Sequence, residues 1–167
     1  MKIFKTKNVK TPTRGSGASA GIDLYIPEDF YIKNGDSMLC VDEDTDNEKS
    51  IHIVPGTSIL IPSGIKANVP EGRALIAFNK SGIAVKKNLI VGACVIDEDY
   101  TGEIHIDIKN VGTLPAKVTA GDKIIQLVCV PVDYVDVELC NDELECFGDL
   151  LETSERGSGG FGSTGTK

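Results

Sequence analysis

Short runs of β-branched and other apolar residues, each ended by glycine, proline, asparagine or aspartate, are the feature that most constrains the fold of this chain. The runs recur about every 8–12 residues, a spacing typical of β-sandwiches and β-barrels. They predict strands at 51–54, 58–61, 73–78, 89–91, 103–108, 116–118, 123–130 and 134–139. Helical stretches are scarce, and the segment from Lys80 to Lys87 has room for one short turn. The sequence therefore predicts an all-β fold.

Composition narrows the class of protein. The 167 residues are enough to bury a core without disulfide bonds, and the five cysteines are an odd number with no Cys-x-x-Cys pair. The sequence shows no signal peptide and no apolar run long enough for a membrane span. We therefore predict free thiols and an intracellular location (cytoplasmic, nuclear or in a host cell) rather than secretion or membrane insertion. The net charge of −8 opposes binding to nucleic acid but not to a small anion at a local basic site.

The C-terminal residues 156–167 are rich in glycine and hydroxyl residues and contain no aliphatic side chain. This composition predicts a flexible arm without a core of its own. One interpretation is an inert terminus. The other is a flap over a ligand, because glycine amides can cradle phosphate oxygens, Arg156 can make a forked contact with them and Phe161 can stack on a base. The arm also matches a dinucleotide fingerprint in its letters, but no helix can follow it.

The segment 92–106 predicts a β-hairpin with an acidic turn. In that hairpin Cys94 faces His105, and Asp97 and Tyr100 lie at the base of the turn. One interpretation is an acidic hairpin tip in solvent. The other is a general base, the carboxylate of Asp97, beside an aromatic ring under a stacked ligand.

Five blocks of the sequence together resemble the trimeric dUTPase (deoxyuridine triphosphate nucleotidohydrolase) family. In chain order they are Ala20–Leu24, Asn79–Gly82, Gly92–Gly102, Ala120–Leu127 and Arg156–Gly165. Each block is weak evidence alone, but five blocks in the family's order are specific. The resemblance implies a jelly-roll-like β-barrel, a homotrimer with active sites shared between subunits, and a flexible C-terminal arm. We expect the barrel domain at 1–150 and the arm, closing over the active site, at 151–167.

The same resemblance implies hydrolysis of dUTP to dUMP and pyrophosphate, which keeps uracil out of DNA and supplies dUMP for dTMP synthesis. It implies Mg²⁺ carried by the triphosphate, with Asp23 holding a metal-bound water. Asp97 would be the catalytic base that deprotonates the attacking water. The substrate-binding residues that it implies are Lys80, Ser81, Gly82, Cys94, Tyr100, His105, Gln126, Arg156, Phe161 and Gly162.

These residue types suit the parts of a deoxynucleoside triphosphate. Ser81, the Gly82 amide and Gln126 would hold phosphate oxygens, and Arg156 would reach the terminal phosphate. Lys80 stands where the family usually has arginine, so it keeps the positive charge but lacks the planar guanidinium fork.

The nucleoside would contact the third and fifth blocks. Tyr100 would pack under the sugar, where a ribose 2′-OH does not fit, and Phe161 would stack on uracil. The backbone of Cys94 and His105 would read the edge of the base. Cys94 stands where the family often has glycine.

Simpler structural roles remain open for several of these residues. Asp23 could cap a strand end, and Gln126 could be a satisfied core amide. His105 could contribute only its backbone, with the imidazole in solvent. Asp122 and Lys123 fit a turn before a strand better than they fit catalytic groups.

Two acidic segments, near 29–50 and at 139–148, resemble insertions relative to a compact family member. They serve no step of the chemistry and could contact a protein partner or extend the trimer. They motivate an alternative function, a regulatory interaction protein that keeps a nucleotide site as a switch. A second alternative is a dCTP deaminase of the same fold.

Overall fold

The computed structural model describes residues 1–32, 41–43 and 49–160, with 41–43 described by their backbone alone. The strands are β1 Lys2–Lys5, β2 Thr13–Arg14, β3 Ile22–Tyr25, β4 Val41–Glu43, β5 Lys49–Ile53, β6 Ser58–Pro62, β7 Ile65–Asn68, β8 Arg73–Asn79, β9 Leu89–Val91, β10 Val95–Ile96, β11 His105–Asn110, β12 Ala116–Thr119 and β13 Lys123–Pro131. The helices are α1 Ser81–Lys87, α2 Glu143–Phe147 and α3 Leu150–Thr153. Strands dominate the described chain, which confirms the all-β prediction, and α1 occupies the short turn expected after Lys80.

The described strands form four antiparallel sheets. One has five strands in the order β10-β8-β13-β3-β2, two have three strands in the orders β6-β11-β9 and β12-β5-β4, and β1 pairs with β7. Within the described ranges these sheets are open and do not close into one barrel. The five-stranded sheet matters most for the candidate site, because four of the five sequence blocks contribute to it: the first through β3, the second at the end of β8, the third through β10 and the fourth through β13.

The core is rich in isoleucine, as the strand-forming runs predict. On the β6–β11 pair, Ile59 faces Ile108 and Ile61 faces Ile106, and each of the four is at most 1% exposed. Alternate residues of β11 are only partly buried or exposed, because successive side chains of a strand point to opposite faces. Burial of these β-branched side chains is the main stabilising term of the sheets.

Strand β13 contains one extra residue, a β-bulge, which changes the face of the sheet to which the side chains before it point. Lys123 lies opposite Tyr25 on β3, whereas Ile125 lies opposite Leu24, so Ile124 has no partner of its own. Ile124 and Ile125 are adjacent in sequence and each is 1% exposed. The bulge therefore turns Lys123 away from the buried face and onto the face that carries the residues discussed below.

The predicted strand at 134–139 is wrong as a paired strand. Val135, Val137 and Leu139 are 77%, 96% and 92% exposed, and the segment joins no sheet in the described part of the chain. The alternation of apolar and acidic residues is that of a half-buried strand, but a strand forms only where another supplies hydrogen-bonding partners.

The predicted insertion at 139–148 contains helix α2. Asp142 Oδ1 accepts a hydrogen bond from Glu145 N at 2.9 Å, and Glu145 Oε2 accepts one from Asn141 N at 2.7 Å. The first bond satisfies an amide that the first turn leaves unpaired, and the second ties Glu145 to Asn141, the residue before the N-cap Asp142. The Asp-x-x-Glu pattern is a sequence signal for the helix that the strand-based interpretation missed.

The chain divides into two compact units, Met1–Asp133 and Tyr134–Lys167. All described strands belong to the first unit, and α2 and α3 belong to the second. Residues 134–150, expected in the barrel domain, therefore fall in the second unit. Most of the acidic segment expected near 29–50 lies outside the described residues. Among the described helices, none has the length and apolar character that a membrane span requires.

Candidate active site

Three of the five sequence blocks meet on the five-stranded sheet. Asp23 of β3 lies opposite Gln126 of β13, and Gln126 lies opposite Phe78 of β8. Because β8 ends at Asn79, the residues that follow it, beginning with Lys80, come next to this row. The first, second and fourth blocks are thus brought together by strand pairing.

Gln126 is held in place by the second block and by a glycine of the first. Its Nε2 donates to the carbonyl oxygen of Asn79 at 2.9 Å, and the Asn79 side chain in turn accepts from Val91 N at 2.7 Å. A Cβ on Gly21 would lie 2.0 Å from Gln126 Oε1, so a larger residue at this position would have to displace the carboxamide. Gln126 is therefore not a core amide. Its carboxamide has a fixed orientation at the surface of the sheet, in which Nε2 is hydrogen-bonded and Oε1 can accept a hydrogen bond from a ligand.

Asp23 is the nearly buried charge of this cluster, with 4% of the residue exposed. Its Oδ1 forms an ion pair with Lys80, and its Oδ2 lies 3.3 Å from Lys123 Nζ. Two ammonium groups and one carboxylate give the cluster a local positive charge in a chain of net charge −8. Such a local excess is what an anionic ligand requires.

Helix α1 begins directly beside this cluster. Lys80 caps it in an extended conformation, and the Lys80 carbonyl accepts the first helical bonds, from Ile83 N and Ala84 N, both at 2.9 Å. Ser81 and Gly82 precede these bonds and are exposed. Their amides are therefore among those that a helix leaves open at its N-terminus, where an anion can be held.

The third block forms a tight loop rather than the tip of a long hairpin. Tyr100 N donates to Asp97 O at 3.3 Å, and Tyr100 OH donates to Glu103 O at 2.9 Å. A Cβ on Gly102 would lie 2.4 Å from Tyr100 Cζ, so the ring packs directly on this glycine. Asp97 is exposed, and Tyr100 is 41% exposed. The loop presents a carboxylate and a ring to solvent from a fixed backbone.

The predicted hairpin at 92–106 is wrong in its outer part. Strands β9 and β11 pair with Val91 opposite Ile108, a register that would bring position 94 opposite position 105, but the last backbone hydrogen bond between them is the one from Gly92 N to Asp107 O at 3.0 Å. Residues 95 and 96 instead pair with β8, and Cys94 O accepts from Ala77 N at 2.7 Å. The chain leaves β11 because β8 offers a free edge to β10. The two strands are therefore separated beyond Gly92.

The His105 imidazole is not simply in solvent. Its Nδ1 lies 2.8 Å from the carbonyl oxygen of Glu103, and the residue is half-buried. The same carbonyl accepts the hydroxyl of Tyr100, so one backbone oxygen orients both side chains. Because the carbonyl accepts, Nδ1 carries the proton of this contact.

The structure separates the third block from the first, second and fourth within one chain. Ile96 lies opposite Leu75 on β8, which places Asp97 beside Ala74, whereas Lys80 follows the opposite end of the same strand. At about 3.3 Å per residue, positions 74 and 80 are on the order of 20 Å apart. Asp97 and Ser81 of one chain therefore cannot contact the same phosphate group.

The fifth block is described only up to residue 160. Arg156 begins a turn in the second unit: Gly159 N donates to Arg156 O at 3.0 Å, and Arg156 Nε donates to Gly159 O at 2.9 Å. Gly157 supports this turn with a φ of +49°. The predicted residues Phe161 and Gly162 lie outside the described residues.

The described residues could hold a metal ion only if water or a bound substrate supplied most of its ligands. Within the described residues no group of three or more His, Cys, Asp and Glu side chains could hold a metal. Both oxygens of Asp23 face ammonium groups. One carboxylate engaged on both oxygens does not hold Mg²⁺ by itself, so the ion, which usually keeps several waters and binds through one or two carboxylates and substrate phosphates, would have to arrive with a triphosphate.

Comparison with known proteins identifies the family of this chain. The dUTPase family model matches residues 44–165. The deoxyuridine 5′-triphosphate nucleotidohydrolase of Rattus norvegicus is 36% identical over 160 residues, which are 96% of this chain and 64% of the rat protein. The protein of the same name from Shewanella sediminis is 37% identical over 162 residues, covering 95% of this chain and 100% of its own length.

A solved structure is similar over almost the whole chain. The dUTPase of Staphylococcus bacteriophage 80alpha, solved with dUpNHpp, has a TM-score of 0.74 over 98% of this chain and 97% of its own, at 21% identity. This likeness extends the match in sequence to the fold. The chain belongs to the dUTPase family of enzymes.

Proposed function

We propose that this protein hydrolyses dUTP to dUMP and pyrophosphate. The observation that carries the proposal is the cluster in which strand pairing brings Asp23, Lys80 and Gln126 together beside the open amides of Ser81 and Gly82. Membership of the dUTPase family supports the choice of substrate. The family match also removes the reason to propose the dCTP deaminase.

Asp97 acts as the general base in this proposal. Its carboxylate takes a proton from a water molecule whose oxygen attacks the α-phosphorus. The bond from that phosphorus to the oxygen bridging to the β-phosphorus breaks, and pyrophosphate leaves with the bonding electrons. The exposed position of Asp97 on a fixed loop supports this role.

The phosphates are held by charge and by amide donors. Gln126 and the amides of Ser81 and Gly82 bind phosphate oxygens, and Lys80 supplies a positive charge. Mg²⁺ bound to the triphosphate would neutralise phosphate charge. Asp23 would hold a water of that ion, once its lysine partners contact phosphate oxygens instead.

Selection of the nucleoside belongs to the third and fifth blocks. Tyr100 packs under the deoxyribose, and the backbone of Cys94 and His105 binds the edge of uracil where the strands separate beyond Gly92. Phe161 stacks on the base, and Gly162 and Arg156 reach the substrate when the C-terminal arm closes.

We infer that the active enzyme is a homotrimer whose sites are shared between subunits. Two observations support this. Asp97 and the phosphate-binding residues of one chain are too far apart to act on one substrate, as the geometry of β8 indicates. The exposed apolar side chains of Val135, Val137 and Leu139 also have the alternation of a strand that pairs outside its own chain.

Release of pyrophosphate from dUTP with Mg²⁺ tests the activity. We expect turnover of dUTP and little turnover of UTP or dTTP. Lack of turnover by the purified protein, or equal rates with dUTP and UTP, would contradict the proposal. Light scattering at three times the chain mass of 17.8 kDa tests the assembly.

Mixing two inactive variants tests the sharing of sites. Asp97→Asn and Gln126→Ala each disable one half of a site, and the two residues lie beside opposite ends of β8. In randomly mixed trimers with equal amounts of the two variants, about a quarter of the sites receive two intact halves. Recovery of about that fraction of activity supports shared sites, and no recovery shows that each site belongs to one chain.

An intracellular location remains part of the proposal. The described cysteines, Cys94, Cys129, Cys140 and Cys146, are free thiols, which suits a reducing compartment. A protein partner of the acidic segment near 29–50 also remains a proposal, and a pulldown with and without that segment tests it.

A further inference from the structure

The loop that carries Asp97 and Tyr100 is fastened at both ends by glutamate side chains that no step of the chemistry uses. Glu98 Oε2 accepts a hydrogen bond from Gly72 N at 2.5 Å, and Glu103 Oε1 accepts one from Gly64 N at 2.6 Å. Both carboxylates are partly buried, whereas the two aspartates of the loop, Asp97 and Asp99, are exposed. In this loop the two glutamates therefore anchor the backbone, and the two aspartates are exposed to solvent.

The two anchor points lie in the two turns on either side of β7. Gly64 precedes Ile65, the first residue of the strand, and Gly72 ends the turn that follows the strand. Both glycines have positive φ, +74° and +69°, a conformation that few other residues adopt readily. The amides of these turns point outward in a direction that suits a carboxylate acceptor, and a charged acceptor strengthens each bond.

Backbone contacts extend the anchor from Glu103 into the core. Ile104 N donates to Ile65 O at 2.9 Å, and Ser63 N donates to Ile104 O at 3.0 Å. Ile104 is 3% exposed. The residue after Glu103 is thus fixed by packing and hydrogen bonds, so that the Glu103 side chain and backbone hold a defined position.

Glu103 also acts on the nucleoside-binding side chains directly. Its carbonyl oxygen accepts from Tyr100 OH at 2.9 Å and contacts His105 Nδ1 at 2.8 Å. A rotation of this peptide would move the carbonyl and the two side chains bound to it together. Two hydrogen bonds limit that rotation, the one from Ile104 N of the same peptide to Ile65 O and the one from Gly64 N to the Glu103 carboxylate.

We propose that Glu103, with Glu98 at the other end of the loop, is a positioning residue that sets the preference of this enzyme for deoxyribose over ribose. The inference rests on the proposed function, because it assumes that the Tyr100 ring is the floor of the sugar site. Tyr100 excludes a 2′-OH only if the ring cannot move back. The anchor of Glu103 holds the ring in place, because the Tyr100 hydroxyl is hydrogen-bonded to the Glu103 carbonyl oxygen.

The test compares Glu103→Ala with Glu103→Gln and with Glu71→Ala. Glu71 is an exposed glutamate in the turn that ends at Gly72, so its removal is a matched loss of charge. We expect Glu103→Ala to lower the ratio of kcat/KM for dUTP to kcat/KM for UTP by about tenfold, and Glu103→Gln, which keeps an acceptor oxygen, to restore most of it. Glu71→Ala leaves the ratio unchanged.

A purely structural role would give a different result. Loss of stability alone lowers the rates with both substrates equally and leaves the ratio intact, so an unchanged ratio in Glu103→Ala overturns the inference. Amide hydrogen exchange of the segment 97–104 measures the anchor without any turnover. We expect faster exchange in Glu103→Ala, and unchanged exchange would refute the anchoring itself. Failure of the wild-type protein to hydrolyse dUTP would refute the proposed function instead.

Discussion

Lys123 Nζ lies 3.3 Å from Asp23 Oδ2, across the pair of strands β13 and β3. The contact exists because of the bulge at Ile124, which moves Lys123 onto the face of Gln126 and Asp23. Lys80 already holds the other oxygen of the same carboxylate. Lys123 thus adds a second positive charge next to the residues that we propose to bind phosphate.

Replacement of Lys123 by glutamine should raise the KM for dUTP by a factor of about 3, because a partly exposed charge is worth at most about 1 kcal/mol. The effect should diminish as salt concentration rises. Steady-state kinetics at two ionic strengths measure both. Lys109→Gln, which removes an exposed lysine of β11, is the control, and an equal rise in KM there would mean that only net charge matters.

Asp23→Asn should lower the free energy of unfolding by about 1–3 kcal/mol, since it leaves Lys80 without its nearly buried partner. Urea unfolding measures the change. Asp122 pairs with Lys87 at 3.2 Å, but both side chains are about one-third exposed. Asp122→Asn should therefore cost less than about 1 kcal/mol, and equal losses for the two variants would contradict the burial argument.

Gly21→Ala should reduce kcat by about tenfold or more while the protein still folds. The new methyl group would occupy the position of Gln126 Oε1 and displace the carboxamide from Asn79. Turnover of dUTP and the far-UV circular dichroism spectrum report the two effects separately. A Cβ on Gly17 meets no atom within 4 Å, so Gly17→Ala should be indistinguishable from wild type.

Asp97→Asn should lower kcat by about 10²–10⁴-fold, the usual contribution of a general base. Asp99→Asn changes an exposed carboxylate of the same loop and should leave kcat within a factor of about two. Rates of pyrophosphate release compare the two variants directly. Near-normal activity of Asp97→Asn would show that Asp97 is not the general base.

Removal of residues 156–167 should abolish most turnover and leave the first unit folded. The reason is that Arg156, Phe161 and Gly162 are proposed to contact substrate, whereas all described strands precede residue 134. Thermal unfolding and turnover are measured on the same sample. Full activity of the truncated protein would instead support the interpretation of residues 156–167 as an inert terminus.

The strand pattern predicted most of the sheets because the core depends on isoleucine-rich alternation, as in Ile106 and Ile108. The turn before β13 was also predicted, and the structure shows Asp122 N donating to Thr119 O at 3.0 Å. The bulge was not predicted. Strict alternation would place Lys123 on the same face as Ile125, and only the extra residue at 124 separates them.

The sequence predicted which residues belong to the candidate site, but it did not predict the contacts between them. Asp23 and Lys80 belong to different blocks, and their ion pair depends on the order β8-β13-β3, which local sequence does not encode. Glu98 and Glu103 escaped notice for a related reason. Their partners are backbone amides of glycines far along the chain, and an amide leaves no signature in the sequence.

The distance along β8 between the positions of Asp97 and Lys80 has a genetic consequence. In the proposed trimer each chain supplies one half to each of two sites, so a chain with a defective Asp97 still carries an intact phosphate-binding half. Two loss-of-function alleles that each disable a different half and still assemble should therefore complement each other in part. Two alleles that disable the same half should not complement each other.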